Sequence, residues 1–88
     1  MTPENAEILA LEGLGWLAGE EDGIQRFLKL SGIDPAELRE AAGNPETGMA
    51  VLDFLLGDEE LLLGFFAHAQ VSPKALHMAR HKLGGEME

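Results

Sequence analysis

The sequence contains no cysteine and no tyrosine among its 88 residues. Without cysteine, neither a disulfide framework nor thiolate chemistry is open to the chain. The only serines are Ser31 and Ser72, and neither lies in a strand-turn-helix pattern typical of a serine nucleophile. No glycine-rich phosphate-binding motif is present. These absences predict that the protein is not an enzyme and that it uses no cofactor.

Basic residues are scarce as well. Six lysines and arginines stand against sixteen aspartates and glutamates, which gives a formal net charge of −10. A field of this sign repels nucleic-acid phosphate and anionic lipid, so we expect no nucleic-acid partner and no membrane partner. The positive charge is concentrated in residues 73–83, which hold Lys74, His77, Arg80, His81 and Lys82. This segment either complements its own helix dipole and the acidic body, or is a docking helix for an acidic partner or nucleic acid, of which the acidic surface disfavours the latter.

The longest apolar stretch is VLDFLLGDEELLLGFFAHA, residues 51–69. A membrane span needs ~20 mostly apolar residues. This stretch contains four carboxylates, and each aspartate at mid-membrane would cost about 2.5–3.5 kcal/mol. The first residues carry glutamates and no basic residue, unlike a secretory signal. We therefore expect a cytoplasmic protein without a membrane segment.

The chain is rich in leucine, alanine and glutamate but has only three isoleucines and two valines, which favours helix over strand. Each of the four prolines follows a residue suited to a helix N-cap, namely Thr2, Asp34, Asn44 or Ser72. We predict an all-α fold, a single domain forming a compact bundle of about six short helices, with 84–88 as a flexible tail. The predicted helices span about 4–18, 21–31, 35–42, 45–56, 59–70 and 73–83.

A shift of 38 residues aligns the chain with itself. Residues 16–22 then lie over 54–60, and the 29 ungapped pairs from 14/52 to 42/80 contain eight identities. A helical unit that cannot bury its apolar face alone becomes stable when a second copy packs on it. The pattern predicts an internal duplication of a three-helix unit, with half-units at about 4–42 and 45–83.

The second copy is more apolar than the first. Gly23, Gln25 and Lys29 of the first copy correspond to Leu61, Leu63 and Ala67 of the second, so helix 59–70 is apolar almost all round. Such a helix is either buried centrally or covered by a partner. The predicted core consists of Ile8, Leu11, Leu14, Leu17, Ile24, Phe27, Leu28, Leu38, Leu52, Leu55, Leu62, Phe65, Phe66 and Leu76.

The leading hypothesis is a non-enzymatic protein–protein interaction module that uses the apolar helix 59–70. Its partner would be an unidentified protein or a second copy of the chain in a homodimer. The candidate interaction surface consists of Leu61, Leu63, Ala67, Lys74, His77, Arg80 and His81. The alternative is a carrier or sensor of a small apolar ligand, with a pocket between the two halves lined by Trp16, Phe54 and Phe66. A third hypothesis is an acidic protein that occupies a basic, nucleic-acid-binding partner.

Other polar residues have simpler interpretations. His77 and His81 have the spacing of a zinc pair, but their basic neighbours Arg80 and Lys82 would repel a cation, so we predict no metal site. His68 is expected to be a half-buried packing residue. The acidic residues 20–22 and 58–60 are expected at helix N-termini. Trp16 is expected in the core beside Phe54 or Phe27.

The segments WLAGEEDGIQRFLKLSGIDPAELREAA and VLDFLLGDEELLLGFF resemble a family of small alphaproteobacterial proteins catalogued as a domain of unknown function, family 3572. The resemblance covers about residues 5–80. Gly13 and Gly15 depart from the alanine-rich first helix expected there; each costs about 0.5–1 kcal/mol of helix stability, and we expect them to permit close helix approach. The resemblance implies a bacterial cytoplasmic protein and brings no activity, ligand or catalytic residue.

Overall fold

The computed structural model describes residues 1–84, and every regular element in them is helical. The elements are α1 (Pro3–Ala18), α2 (Glu21–Ser31), a 3₁₀ turn (Pro35–Glu37) leading into α3 (Leu38–Ala41), α4 (Pro45–Leu56), α5 (Glu59–Ala69) and α6 (Pro73–Leu83). The prediction of an all-α bundle of six short helices is confirmed. Of the predicted tail, Gly84 caps α6 and residues 85–88 lie outside the described part of the chain.

Three of the four predicted N-caps form. The Thr2 hydroxyl accepts a hydrogen bond from the Asn5 N–H at 3.1 Å, and the Ser72 hydroxyl accepts one from Ala75 at 3.1 Å. The Asp34 carboxylate accepts one from Ala36 at 2.9 Å. Asn44 begins α4 without a side-chain cap bond to the described backbone. Because proline follows each cap residue and has no N–H, it loses nothing at the first helical position.

The core lies where α1, α4 and α6 meet, and α2 and α5 each pack on α1 and α4. Gly13 permits the close approach of α1 and α4, because a Cβ there would lie 3.1 Å from Leu55 Cδ1 and 3.4 Å from Val51 Cγ1. Gly15 has no such role: a Cβ there would meet no described atom within 4 Å. The expectation of close packing at the two glycines is therefore confirmed for Gly13 and wrong for Gly15.

The predicted core is largely observed. Seven of its fourteen residues are buried, namely Leu14, Leu17, Phe27, Leu52, Leu55, Phe65 and Leu76. Five others are half-buried and pack against that cluster, namely Ile24, Leu28, Leu38, Leu62 and Phe66. The remaining two predictions are wrong.

Ile8 and Leu11 are the two errors, with 54% and 46% of their surface exposed. The buried face of α1 instead carries Ala6, Leu9 and Ala10. Small alanine side chains let helix backbones approach each other, and the larger residues on the opposite face are then left outside. Helical spacing alone cannot decide which of two apolar faces points inward when both carry leucine or isoleucine.

The 38-residue shift has a structural counterpart in the first two helices of each half. Both α1 and α4 contact α2 and α5, and the shifted pairs Leu17/Leu55 and Phe27/Phe65 are all buried. The third elements differ. The segment 35–41 is a 3₁₀ turn and one helical turn with no buried residue, whereas the eleven-residue α6 buries Leu76 and Ala79. The duplication of a three-helix unit stays a prediction.

Helix α5 lies at the edge of the bundle. Phe65 is its only fully buried residue, although nearly every position of the helix is apolar. Central burial is therefore the wrong explanation of its composition, and part of its apolar surface faces solvent.

Candidate interaction surfaces

The exposed apolar side of α5 carries Leu63 and Ala67, which lie one helical turn apart. Leu63 is 59% exposed, and Ala67 is exposed as well. We call these two residues the α5 stripe. Leu61 does not belong to it: this residue is half-buried, and its Cδ2 lies 3.3 Å from the position of a Cβ on Gly23 of α2. Leu61 therefore packs toward α2.

The matching positions of α2 are polar. Gln25 and Lys29 correspond to Leu63 and Ala67 under the 38-residue shift, and both are exposed. The two helices thus occupy comparable places against α1 and α4. At these two positions α2 carries polar side chains and α5 carries apolar ones, although α2 exposes an apolar side chain elsewhere, at Leu30. The apolar character of the α5 stripe is accordingly not required for packing at such a place in the bundle.

The predicted basic residues of α6 occupy two different settings. Lys74, His77 and His81 are exposed, whereas Arg80 is directed toward α4, where its Nε donates a hydrogen bond to Asp53 Oδ1 at 2.7 Å. The side chains of Arg80 and Asp53 are 35% and 57% exposed. A bridge exposed to this extent contributes about 0–1 kcal/mol to stability, so its main effect is to fix the direction of Arg80.

The exposed basic residues of α6 share a groove with two methionines. This groove of about 320 Å³, which we call the α6 groove, is lined by Met1, Lys74, His77, Met78, His81 and Lys82. None of its lining residues comes from α5. The seven residues predicted as one interaction surface therefore divide between the α5 stripe, the α6 groove, the α2-facing Leu61 and the bridged Arg80.

Asp58 joins the start of α5 to α2. Its Oδ1 accepts the Leu61 N–H at 3.1 Å, as an N-cap does, and its Oδ2 accepts a bond from Arg26 Nη2 at 2.8 Å. The Leu61 N–H, followed by the Arg26 guanidinium, lowers the pKa of Asp58 below its ordinary value, because both interactions favour the carboxylate. The sequence indicated the cap, but no local pattern points to Arg26, which lies 32 residues away.

The Arg26 guanidinium also lies over an aromatic ring, with its Cζ 5.6 Å from the centroid of Phe54. This distance is within the range of a cation–π contact. Because Phe54 is on α4 and Asp58 caps α5, Arg26 holds α2 against two elements of the second half.

Carboxylates surround a cleft between the N-termini of α2 and α5. The cleft measures about 810 Å³, and Trp16, Arg26 and Asp58 are among its lining residues. Glu20 begins α2 without a side-chain cap bond to the described backbone, whereas Asp58 caps α5 with its carboxylate. The first turns of α2 and α5 are therefore both acidic, but only that of α5 has a side-chain cap. Within residues 1–84 no group of three or more histidines or carboxylates is placed to hold a metal ion.

Two sequence-based placements need correction. Trp16 is half-buried and packs on Phe65, not on Phe54 or Phe27, because each ring on the first helix of one half packs on a ring of the second helix of the other half. His68 is exposed and not half-buried, since it lies on the solvent side of the edge helix α5.

The structure does not gather the residues proposed to line an apolar-ligand pocket. Trp16 lines the acidic cleft and a second cavity of about 600 Å³ beside Gly19 and His68. Phe54 instead lines a groove of about 350 Å³ with Phe27 and Leu30. Trp16 and Phe54 therefore border different cavities, and Phe66 lines none of these three.

These features define a small all-α bundle with exposed apolar and cationic surfaces and an acidic cleft. None of the described helices has the length and apolar content needed to cross a membrane. The chain belongs to the family described as protein of unknown function (DUF3572), whose family model matches residues 3–86. No curated protein and no solved structure matches it. The alphaproteobacterial origin implied by the resemblance stays a prediction.

Proposed function

We propose that this protein is a non-enzymatic protein–protein interaction module and that the α5 stripe is its principal contact. The observation that carries the proposal is the exposure of Leu63, at 59%, where the matching position of α2 carries an exposed glutamine. A single exposed leucine is common on protein surfaces. Here a comparable helix in the same chain shows that a polar residue is compatible with the position, so the apolar one suggests a role outside folding.

The surroundings of the stripe resemble those of a protein contact. Half-buried Leu62 and Phe66 extend the apolar surface toward the core, while Glu60 and His68 are exposed near its two ends. An apolar centre with polar residues at the rim is the usual anatomy of a protein interface. The occupant is a protein partner or a second copy of the chain.

The experiment replaces Leu63 by glutamate and compares it with Gln25→Glu, which introduces the same charge at the matching position of α2. Self-association is measured by sedimentation velocity over a range of concentrations, and partner binding by affinity capture from the source cell. We expect Leu63→Glu to lose the association while keeping the circular dichroism spectrum and unfolding midpoint of the unmodified protein. Gln25→Glu should keep all of these properties.

A second variant replaces both residues of the α5 stripe by those found at the matching positions of α2. The double substitution Leu63→Gln, Ala67→Lys introduces glutamine and lysine, which are both good helix formers. It should behave like Leu63→Glu. Unfolding of either variant would show that the stripe belongs to the core, and unchanged association in both would rule out the stripe as a contact.

A further inference from the structure

The outer side of α6 is a second surface whose chemistry differs from that of the rest of the molecule. Lys74, His77 and Met78 are all exposed, and His77 and Met78 lie three and four residues after Lys74, so the three share one side of the helix. Pro73–Leu83 contains no acidic residue. Residues 1–72, by contrast, carry three basic and fourteen acidic side chains, a net charge of −11.

Apolar and cationic groups stand side by side in the α6 groove. Met1 is 40% exposed and Met78 is 41% exposed, and both line the groove together with Lys74 and His77. Methionine is flexible and polarisable, and it is favoured on surfaces that adapt to the shape of a partner. A ligand that satisfies this groove must offer apolar groups and negative charge along one short segment.

We propose that the α6 groove binds an acidic amphipathic segment of a protein partner, with its carboxylates toward Lys74 and His77 and its apolar side chains on Met78 and Met1. This is the helix-in-groove mode of recognition, in which an amphipathic segment lays its apolar side into a surface depression. Charge complementarity supplies orientation and speeds the encounter.

The distribution of charge favours this occupant over others. Symmetric pairing of α6 with the α6 of a second copy would bring like charges together. Nucleic acid or an anionic membrane would extend beyond the groove and meet the acidic remainder of the molecule, within a screening length of about 8–10 Å. A short acidic segment contacts α6 alone.

Arg80 does not contribute to this groove. Its guanidinium is held by Asp53 of α4, and it is not among the groove residues. The charge that a ligand would meet comes first from Lys74, which is exposed near the start of α6. The α6 groove therefore differs from the basic cluster predicted from the sequence, because that cluster includes Arg80 and the groove does not.

The test uses two synthetic peptides that share a leucine side and differ in charge, one with glutamate and the other with lysine on the polar side. Binding is measured by fluorescence anisotropy of the labelled peptide and is mapped by amide chemical shifts of isotope-labelled protein. We expect the glutamate peptide to bind and to shift the amides of α6, and the lysine peptide to leave those amides unshifted.

Two exposed-residue variants then locate the contact. Lys74→Glu and Met78→Glu should each weaken binding of the glutamate peptide by about tenfold or more, since one reverses the attraction and the other places a charge on the apolar contact. Leu63→Glu should leave it unchanged, so this inference can fail or succeed independently of the α5 stripe. A circular dichroism spectrum of each variant confirms that it is folded.

Three results would overturn the inference. The first is that the two peptides shift the amides of α6 equally, or that neither shifts them. The second is a shift map centred on α5 or on the acidic cleft. The third is binding to phosphatidylglycerol vesicles that Lys74→Glu abolishes, without binding of the glutamate peptide, which would assign the groove to a membrane surface. Because shift mapping uses the unmodified protein, the result does not depend on whether the variants fold.

Discussion

The indole ring of Trp16 packs on the ring of Phe65, with centroids 5.8 Å apart and planes inclined at 52°. A second pair, Phe27 and Phe54, packs at 5.6 Å and 64°. The 38-residue shift exchanges the two pairs, because it relates Trp16 to Phe54 and Phe27 to Phe65. Each half thus supplies one ring from its first helix and one from its second, and both contacts cross between the halves, as in a two-fold symmetric interface.

These reciprocal contacts predict two independent aromatic couplings of similar size. Double-mutant cycles with alanine at Trp16 and Phe65, and at Phe27 and Phe54, should each give about 0.5–1.5 kcal/mol of coupling in the free energy of unfolding, the usual range for aromatic pairs. Urea unfolding followed by circular dichroism measures each cycle. The crossed cycle of Trp16 with Phe27, taken from different pairs, serves as control, and an equal coupling there would contradict the assignment.

Two helices end on a residue whose backbone is in the left-handed conformation, and the 38-residue shift relates the two residues. Gly32 ends α2 with φ of 76°, and Gln70 ends α5 with φ of 56°. Glycine adopts this conformation without steric cost, whereas other L-residues are disfavoured there by roughly 1–2 kcal/mol. Gln70→Gly should therefore stabilise the protein by about 0.5–1 kcal/mol, and Gly32→Gln should destabilise it by about 1–2 kcal/mol.

The unfolding midpoints in urea of both variants, compared with that of the unmodified protein, check this prediction. The opposite signs are the decisive feature, since each substitution exchanges the residues found at the two helix ends. A loss of stability in Gln70→Gly would show that the glutamine side chain contributes more than its backbone conformation costs.

A methyl group at Gly64 would meet the indole ring of Trp16. The added Cβ would lie 2.8 Å from Trp16 Cζ2 and 3.1 Å from Cη2, distances that force the ring or the helix to shift. Gly64→Ala should destabilise the protein by about 1–3 kcal/mol, as overpacking does, and should change the fluorescence of this single tryptophan.

Gly15→Ala is the matched control, because it adds the same methyl group to a helix where no described atom lies within 4 Å. It should stabilise the protein by about 0.5–1 kcal/mol through helix propensity alone. Equal effects of the two substitutions on the urea midpoint would mean that the contact between Gly64 and Trp16 does not limit packing.

The helices could be predicted from the sequence because their ends are marked locally. Proline after a cap residue begins α1, α4 and α6, and the structure places these starts at Pro3, Pro45 and Pro73. The sequence predicts one helix for the third segment, but the segment divides into a 3₁₀ turn and the four-residue α3. Its cap at Asp34 forms as predicted, so the cap marks where a helix starts without fixing how it continues.

The relationships between elements could not be predicted in the same way. Ile8 and Leu9 are adjacent and both strongly apolar, yet Leu9 is 6% exposed and Ile8 is 54% exposed. The choice depends on which side of α1 meets α4 and α6, and this is set by tertiary packing. The same limit explains why the sequence grouped Arg80 with the exposed basic residues, whereas the fold pairs it with Asp53.

The carboxylate of Asp58 makes the stability of the fold depend on acid pH. Its pKa is lowered in the folded protein by the Leu61 N–H and by Arg26, so the folded state favours the ionised form. The resulting stabilisation is complete above the pKa of the unfolded chain and is lost as the pH falls through the lower pKa of the folded protein. Asp58→Asn keeps a residue that can cap a helix but removes the charge.

We therefore expect Asp58→Asn to be less stable than the unmodified protein at neutral pH and the difference to shrink as the pH falls through the acid range. Urea unfolding at a series of pH values from neutral to strongly acid measures the difference. In an Arg26→Gln background the difference should be smaller but still present, because the Leu61 N–H, the larger cause of the lowered pKa, remains. A difference that stays constant across the whole pH series would show that Asp58 is not stabilised as a carboxylate in the fold.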